Sequence, residues 1–336
     1  VLIVKIDYKS FIEDNFTITT VAGEVVPFVL NDIQNYYYNL LLQDYGPELN
    51  GIRENILKSR RFGFSSLIDA IFTVDFIMSE LGLVPFTNSD VYSYKEKDTT
   101  VLFTRVNQFI DSWLLKDQGG DYREIAHRKD LTALRKAFLK QDVSGTVIVG
   151  KNGAEYHCLT AGAKVSGRGG TKQNMHWSEV AFYSNTEVLN AKDLVTGAEE
   201  QVSSGIGKIF RETTGNVADD FFNNEYQLGK DGLSEFKSRF LAWHLFGRYT
   251  KPAPEGWQPP EYYNGIMKQG VTVEQCYWHF EKTRGLTDNR RLREYPTSDT
   301  EAFLLGGDPF FSSEALIHYM NNIKQPVKKA EFIGAL

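Results

Sequence analysis

The chain has 336 residues, 42% of them apolar and 13% aromatic, enough for a sizeable core and too apolar for a disordered chain. A formal net charge of −6 argues against a generic nucleic-acid binder but leaves room for a local basic patch. Two distant cysteines, Cys158 and Cys276, fit a reduced intracellular setting; six scattered histidines without an H-x-x-x-H pair argue against structural zinc, and no apolar run reaches membrane-spanning length.

In residues 1–50, Pro27-Phe28 reads as extended. Asn31 or Asp32 caps a helix carrying Tyr36, Tyr37, Leu40, Leu41 and Leu42. Asn55-Ile56-Leu57 ends a strand. Leu67, Ile68, Ile71, Phe72 and the stretch 75–78 set out the apolar face of a helix that Gly82 closes. Leu83 to Thr87 reads as a short strand and Thr99 to Leu115 as a helix, before a charged surface stretch over 121–140. Residues 145–150 and 154–160 flank Asn152-Gly153, a hairpin signal suited to a type I′ turn. After a glycine-rich stretch over 166–171, Asn174 to Trp177 is a strand ending at Ser178-Glu179. Residues 198–202 read as helix, 207–213 as strand, 218–227 as helix and 240–246 as strand. Strands alternating with helices predict an α/β fold with parallel pairs. Pro252, Pro254, Pro259 and Pro260 mark a subdomain boundary near residue 250, beyond which 270–295 reads as helix.

The run Lys58-Ser-Arg-Arg-Phe-Gly-Phe-Ser-Ser66 has the outline of a phosphate-binding loop whose lysine has moved. The usual loop is G-x-x-x-x-G-K-[ST] between a strand and a helix. Gly63 and Ser65 hold the second glycine and the hydroxyl, Phe64 sits where the lysine belongs, and Lys58 replaces the first glycine. A helix N-terminus beneath Gly63 would aim free N–H groups at an anion, with Lys58, Arg60 and Arg61 supplying positive charge. The same run also fits a solvated basic corner.

A nucleotide hydrolase further needs a carboxylate to orient water, a hold on a metal ion and cations against the developing charge. Glu179, at the end of an apolar strand, fits the first role, and Ser178 stands where such enzymes often place aspartate. Arg168, in a glycine-rich loop, suits the spread charge of a transferring phosphoryl group. Thr213-Thr214-Gly215-Asn216 follows a strand and could sense a γ-phosphate. Gln34 can donate and accept at once, matching an adenine edge, and Phe28 could stack on the base. Read singly, each also fits a plain role: a capping acid, an exposed arginine, a self-satisfied turn, a surface glutamine.

In order along the chain, these pieces resemble the ATPase domain of the large terminase subunit of tailed bacteriophages. The stretches that carry the resemblance are Pro27-Phe28 with Gln34, Lys58 to Ser66, Ser166 to Gly170, His176 to Phe182, Glu212 to Asn216 and Arg293-Glu-Tyr-Pro with Glu301-Ala-Phe303. The resemblance implies a RecA-like P-loop ATPase core over 1–250, a mostly parallel sheet flanked by helices with an added antiparallel hairpin, and a small lid subdomain over 251–336. It implies ATP and Mg2+ as ligands, with Phe28 and Gln34 at the adenine. Lys58, Ser59, Arg60, Arg61, Phe62, Gly63, Phe64, Ser65 and Ser66 would hold phosphates, and Ser65, Ser178 and Glu179 the metal. Glu179 would activate water, Arg168 would act in trans as an arginine finger, and Thr213 and Thr214 would couple hydrolysis to movement.

The resemblance also implies a motor that packages double-stranded DNA into a procapsid through the portal protein. It would work in the host cytoplasm with the small terminase subunit, as a ring of copies (a pentamer on the capsid), without a membrane. DNA contact would go mostly to phosphates, with Arg128, Lys164, Arg168 and Lys172 as channel candidates. Members of the family continue into an RNase H-like nuclease domain, which a chain ending at Leu336 is expected to lack. Two rival readings remain at this point. One is another DNA-dependent P-loop motor, such as a helicase. The other is a catalytically silent assembly module, motivated by Phe64 and Ser178 in place of standard ligands.

Overall fold

A seven-stranded sheet organises the computed structural model, which describes residues 5–117, 131–140, 145–162, 170–183, 190–216 and 220–303. Helix α1 (Tyr8–Asn15) and a separate antiparallel ribbon, β1 (Thr17–Thr19) with β2 (Val25–Pro27), precede α2 (Asp32–Tyr45). Next come β3 (Arg53–Lys58), α3 (Phe64–Glu80), β4 (Asn88–Ser93), α4 (Glu96–Asp117) and α5 (Leu131–Phe138). The sheet continues with β5 (Val147–Val149), β6 (Glu155–Thr160), β7 (Asn174–Ser178), α6 (Ala191–Glu199), β8 (Lys208–Thr213), α7 (Phe221–Lys230) and β9 (Lys237–Leu241). Four short helices complete the described chain: α8 (Asn264–Met267), α9 (Val273–Thr283), α10 (Asp288–Glu294) and α11 (Asp299–Phe303).

The strand order is β5-β6-β4-β7-β8-β3-β9, and every neighbouring pair is parallel except the β5–β6 hairpin predicted at Asn152-Gly153. Strands β3, β7 and β8 are buried at every position, as strands covered on both faces must be. Helix α3 is buried at every residue but Ser65; most of its residues are apolar, and its acids Asp69 and Asp75 are paired with Arg105 and Lys208. It lies in the larger hydrophobic cluster with α1, α2 and α4, while Trp177, Tyr92, Phe222 and Val195 anchor a second cluster. A third, aromatic cluster gathers Trp243, Tyr263, Cys276 and Tyr295. Among the described residues no helix is long and apolar enough to cross a membrane.

Several boundaries differ from the sequence reading. The apolar stretch 83–87 is not a strand: Leu83 and Phe86 are exposed, and the strand is the polar run starting at Asn88. That run is buried because its polar groups are paired: the Asp90 carboxylate meets Lys172 Nζ at 2.7 Å and His157 Nδ1 at 2.8 Å. The helix placed at 198–202 occupies 191–199, capped by Asn190, and the strand placed at 240–246 is β9 followed by a 3-10 turn over 243–245. The single helix expected over 270–295 is broken between α9 and α10, whose N-caps are Thr272 and Thr287. Helix α1 and the β1–β2 ribbon were not legible in advance.

Candidate active site

Strand β3 ends at Lys58, and the loop 59–63 turns the chain into α3. Arg61 (φ 62°) and Gly63 (φ 77°) adopt left-handed backbone there. Glycine is favoured at 63 on two counts. A side chain is strained at that φ, and a Cβ would sit 2.8 Å from Gln34 Nε2. Gly63 is the N-cap of α3 and no side chain caps that end, so the first-turn amides have no side-chain capping acceptor. Such an end favours anions.

The loop is held from every side. Gln34 Nε2 donates to the Gly63 carbonyl at 2.7 Å and Asn31 Nδ2 to that of Phe62 at 3.2 Å. Ser59 N donates to Leu241 O and Arg60 N to Glu294 O, while the Tyr249 hydroxyl donates to Arg60 O at 2.6 Å. Arg60 also pairs with the Glu294 carboxylate at 2.8 Å; both Arg60 and Arg61 are exposed. Phe62, Phe64, Ser59 and Ser66 are buried beneath the loop.

These contacts revise part of the sequence reading. Phe28 is a core residue stacked on Phe109 (5.6 Å between ring centroids), leaving it no free face for a base. Gln34 is buried as the third residue of a capping box with Asn31, and its amide is engaged by that cap and by Gly63. Its place is that of a loop support. Phe64, in the usual lysine position, points into the core against Tyr37 (4.8 Å), so a charge there would be buried. Lys172 is buried, its ammonium paired with Asp90 at 2.7 Å. Arg168, Arg128 and Lys164 lie outside the described residues.

Where the carboxyl ends of β3, β7 and β8 meet, Lys58 Nζ lies 3.2 Å from Glu179 Oε1 and 2.9 Å from Glu212 Oε2. Burial alone would push the Lys58 ammonium down, but the two carboxylates outweigh it and hold the group charged. Glu212 has no exposed side-chain surface; burial pushes its carboxyl up, and Lys58 and His176 more than reverse this, keeping it ionised. The Ser65 hydroxyl donates to Glu212 Oε1 at 2.6 Å and the Ser178 hydroxyl to the same oxygen at 2.9 Å. His176 is fully buried, 3.5 Å from Asp69 Oδ1 and 3.5 Å from Glu212 Oε1. Burial disfavours its cation, yet the two acids raise its pKa above the usual imidazole value. Asp69, on α3, is in turn bound by Arg105 of α4 at 2.8 Å.

Sequence reasoning missed Glu212 and His176 as parts of the site. Glu212 stood in the Glu212-Thr-Thr-Gly run but was read only as strand; an acid at the end of an otherwise buried strand was the available signal.

Glu179 sits in the left-handed region (φ 56°), a strained position for a non-glycine residue. Its Oε2 accepts from Thr214 N at 3.1 Å and Thr214 Oγ1 at 3.3 Å, and Thr213 Oγ1, whose proton goes to the Thr214 carbonyl at 2.7 Å, lies 3.4 Å away. The structure therefore brings Lys58, Ser65, Ser178, Glu179, Thr213 and Thr214 together, as read from the sequence. Glu179 is 38% exposed and borders two cavities. The larger, of about 590 Å³, is lined by Arg60, Thr214, Arg290, Arg293 and Glu294 among others. The smaller, of about 230 Å³, is lined by Ser65, Ser178, Arg105 and Asp98 among others, and the two share Tyr94, Asp98 and Glu179. Among the described residues no group of three His, Cys, Asp or Glu side chains could hold a metal alone. The oxygens of Ser65, Ser178 and Glu179 on the smaller cavity are nonetheless the hard donors that magnesium takes when waters and phosphates complete its shell.

No family model matches the chain, and no curated protein matches it. Among solved structures, the large terminase of bacteriophage HK97 is 13% identical, with a TM-score of 0.52 over 93% of this chain and 57% of that one. The chain thus spans 57% of the HK97 protein's length. The large terminase ATPase domain of Thermus phage P74-26 is 14% identical over 73% of this chain and 87% of that one, with a TM-score of 0.41. The large terminase of another thermophilic bacteriophage, in complex with ADP, is 13% identical over 60% of this chain and 43% of that one, with a TM-score of 0.32. The HK97 likeness gives this chain the fold of the part of a phage large terminase that it covers, a mostly parallel sheet flanked by helices.

Proposed function

We propose that the chain is an ATP-hydrolysing motor that drives double-stranded DNA into a procapsid. The observation that carries this reading is Lys58, set at a strand end beside an uncapped helix N-terminus and bridging Glu179 and Glu212. ATP phosphates fit against the first-turn amides of α3, with Arg60 and Arg61 at the rim of the loop. Phosphate oxygens compete with Glu179 for the Lys58 ammonium. Once Lys58 turns to them, Glu179 keeps its Thr214 contacts and is free to orient a water and take its proton. Magnesium, when bound, would be held at Ser65 and Ser178 and would offset phosphate charge.

The same glutamate reaches the far side of the larger cavity. Thr214 N donates to Glu179, and the next residue, Gly215, accepts from Arg293 of α10 through its carbonyl at 3.3 Å. A change at Glu179 on hydrolysis therefore has a short covalent and hydrogen-bonded route to α10, as a motor that converts hydrolysis into movement needs. As a packaging motor the chain would act as a ring on the portal, with the small terminase subunit as partner.

The test is ATP turnover in the presence of DNA and portal-bearing procapsids. Wild type should turn over ATP, and Glu179→Gln should be slower by about 10²–10⁴-fold. Equal, negligible turnover in both under assembled conditions would refute the motor and leave an assembly role. Turnover driven by forked duplex without procapsids would point to a helicase instead.

A further inference from the structure

Strands β7 and β8 are parallel neighbours in a register that sets Ser178 directly beside Glu212. Neither hydroxyl at this point has a choice of hydrogen-bond direction: Ser65 and Ser178 both donate to Glu212 Oε1, at 2.6 and 2.9 Å. A hydroxyl has one proton and two lone pairs. With each proton held by Glu212, the lone pairs of both oxygens are left for the smaller cavity, which Ser65 and Ser178 line and Glu212 does not. In phosphate-loop enzymes magnesium is held by the loop Ser or Thr together with an aspartate at the end of the neighbouring strand. Here that strand ends in Ser178, whose side chain cannot supply the charge.

We infer that Glu212, reaching across from the adjacent strand, replaces the missing strand-end aspartate: it orients the Ser65 and Ser178 hydroxyls as a two-oxygen cradle for the magnesium of bound ATP. Glu212 is a positioning residue in this scheme. It is fully buried, does not line the cavity, and acts through the two serines and through its negative charge behind them. Glutamate is one methylene longer than aspartate, and the parallel register brings its carboxylate to within hydrogen-bond distance of Ser178 itself. Lys58 Nζ lies 2.9 Å and His176 Nε2 3.5 Å from this carboxylate, so cationic partners already flank it.

The inference rests on the nucleotide-binding reading, and the experiment separates the two. The full chain is titrated with Mn2+, followed by its electron paramagnetic resonance signal, in the presence of a non-hydrolysable ATP analogue. Analogue binding is measured separately in EDTA. Glu212→Gln should weaken Mn2+ binding to the nucleotide complex by about 10–100-fold. Ser178→Asp added to Glu212→Gln should restore most of that loss by returning a carboxylate to the strand end. Unchanged Mn2+ affinity in Glu212→Gln, or a loss that Ser178→Asp does not repair, would overturn the inference and leave Glu212 as a counter-ion of Lys58. If Glu212→Gln does not fold, Ser178→Ala reads the cradle from its other side. Weakening of Mn2+ binding by about tenfold supports the inference, and unchanged affinity overturns it. Failure of the wild type to bind the analogue with or without Mn2+ would instead remove the nucleotide-binding reading and this inference with it.

Discussion

Replacing Lys58 by methionine tests whether the site is an ion cluster whose members depend on one another. Lys58 is 6% exposed at its side chain, Glu212 is 0% exposed, and their charged atoms are 2.9 Å apart. Removing one partner of a buried pair costs about 3–5 kcal/mol, because the other is left as an uncompensated charge. The lower end applies here. His176 stays 3.5 Å from Glu212, and two hydroxyls still donate to its Oε1. Glu179 adds little, since at 38% exposure water can replace the lysine, a surface-like term of about 1 kcal/mol or less. Lys58→Met should therefore cost about 3 kcal/mol in urea unfolding at neutral pH. The decisive measurement is the double variant Lys58→Met/Glu212→Gln. It removes both charges and should be more stable than the sum of the single losses by about 2 kcal/mol. Additivity within about 0.5 kcal/mol would show that the two groups do not compensate each other, and the account of the site would fail.

Three further outcomes follow from the same geometry. Gly63→Ala should lower stability by about 1–2 kcal/mol through its left-handed backbone alone, and should displace Gln34, read as a drop in thermal midpoint; an unchanged midpoint contradicts the tight Gly63–Gln34 approach. Phe64→Lys, which writes the usual loop lysine back into the sequence, should not improve nucleotide binding. It should destabilise the fold by about 3 kcal/mol or more, because position 64 packs on Tyr37 in the core; a stable, tighter-binding variant would refute that placement. His279 is buried and donates from Nε2 to the Tyr295 carbonyl; burial pushes its pKa down to about 3, so it is neutral, and its Nδ1 then accepts from the Tyr263 hydroxyl. The unfolded chain takes up a proton near pH 6.5 and the folded one does not, so stability falls as pH is lowered through that window. Between pH 7 and 5 the loss is about 2 kcal/mol, and His279→Gln should flatten this part of the pH profile in urea titrations; an equal slope in both proteins would refute the assignment.

What was legible in the sequence was local. Asn31 caps a helix, Asn152-Gly153 turns a hairpin, and Gly63 bends the chain between a strand and an apolar helix. Each depends on backbone and side-chain preferences within a few residues. The order of the pieces, from Lys58 through Glu179 to Thr214, pointed to residues that the fold gathers at the carboxyl ends of the strands as a candidate site.

The errors share one cause. Hydrophobicity pointed to 83–87 as the strand. The strand instead formed from Asn88-Ser-Asp-Val-Tyr-Ser93, whose acid finds its partners, Lys172 and His157, more than sixty residues away. Gln34 and Phe28 have side chains suited to a base, but nothing within their own segments says that Gly63 and Phe109 would occupy them first.

The sequence by itself determined the bend at Gly63, the uncapped helix that follows it and the glutamate at the end of β7, because turns, caps and strand ends are settled by neighbours in the chain. Only the tertiary structure decided that Glu212 would stand beside Ser178 and face Lys58 and His176. That juxtaposition depends on which strands pair and in what register, and a shift of one residue would have turned Glu212 to the opposite face of the sheet.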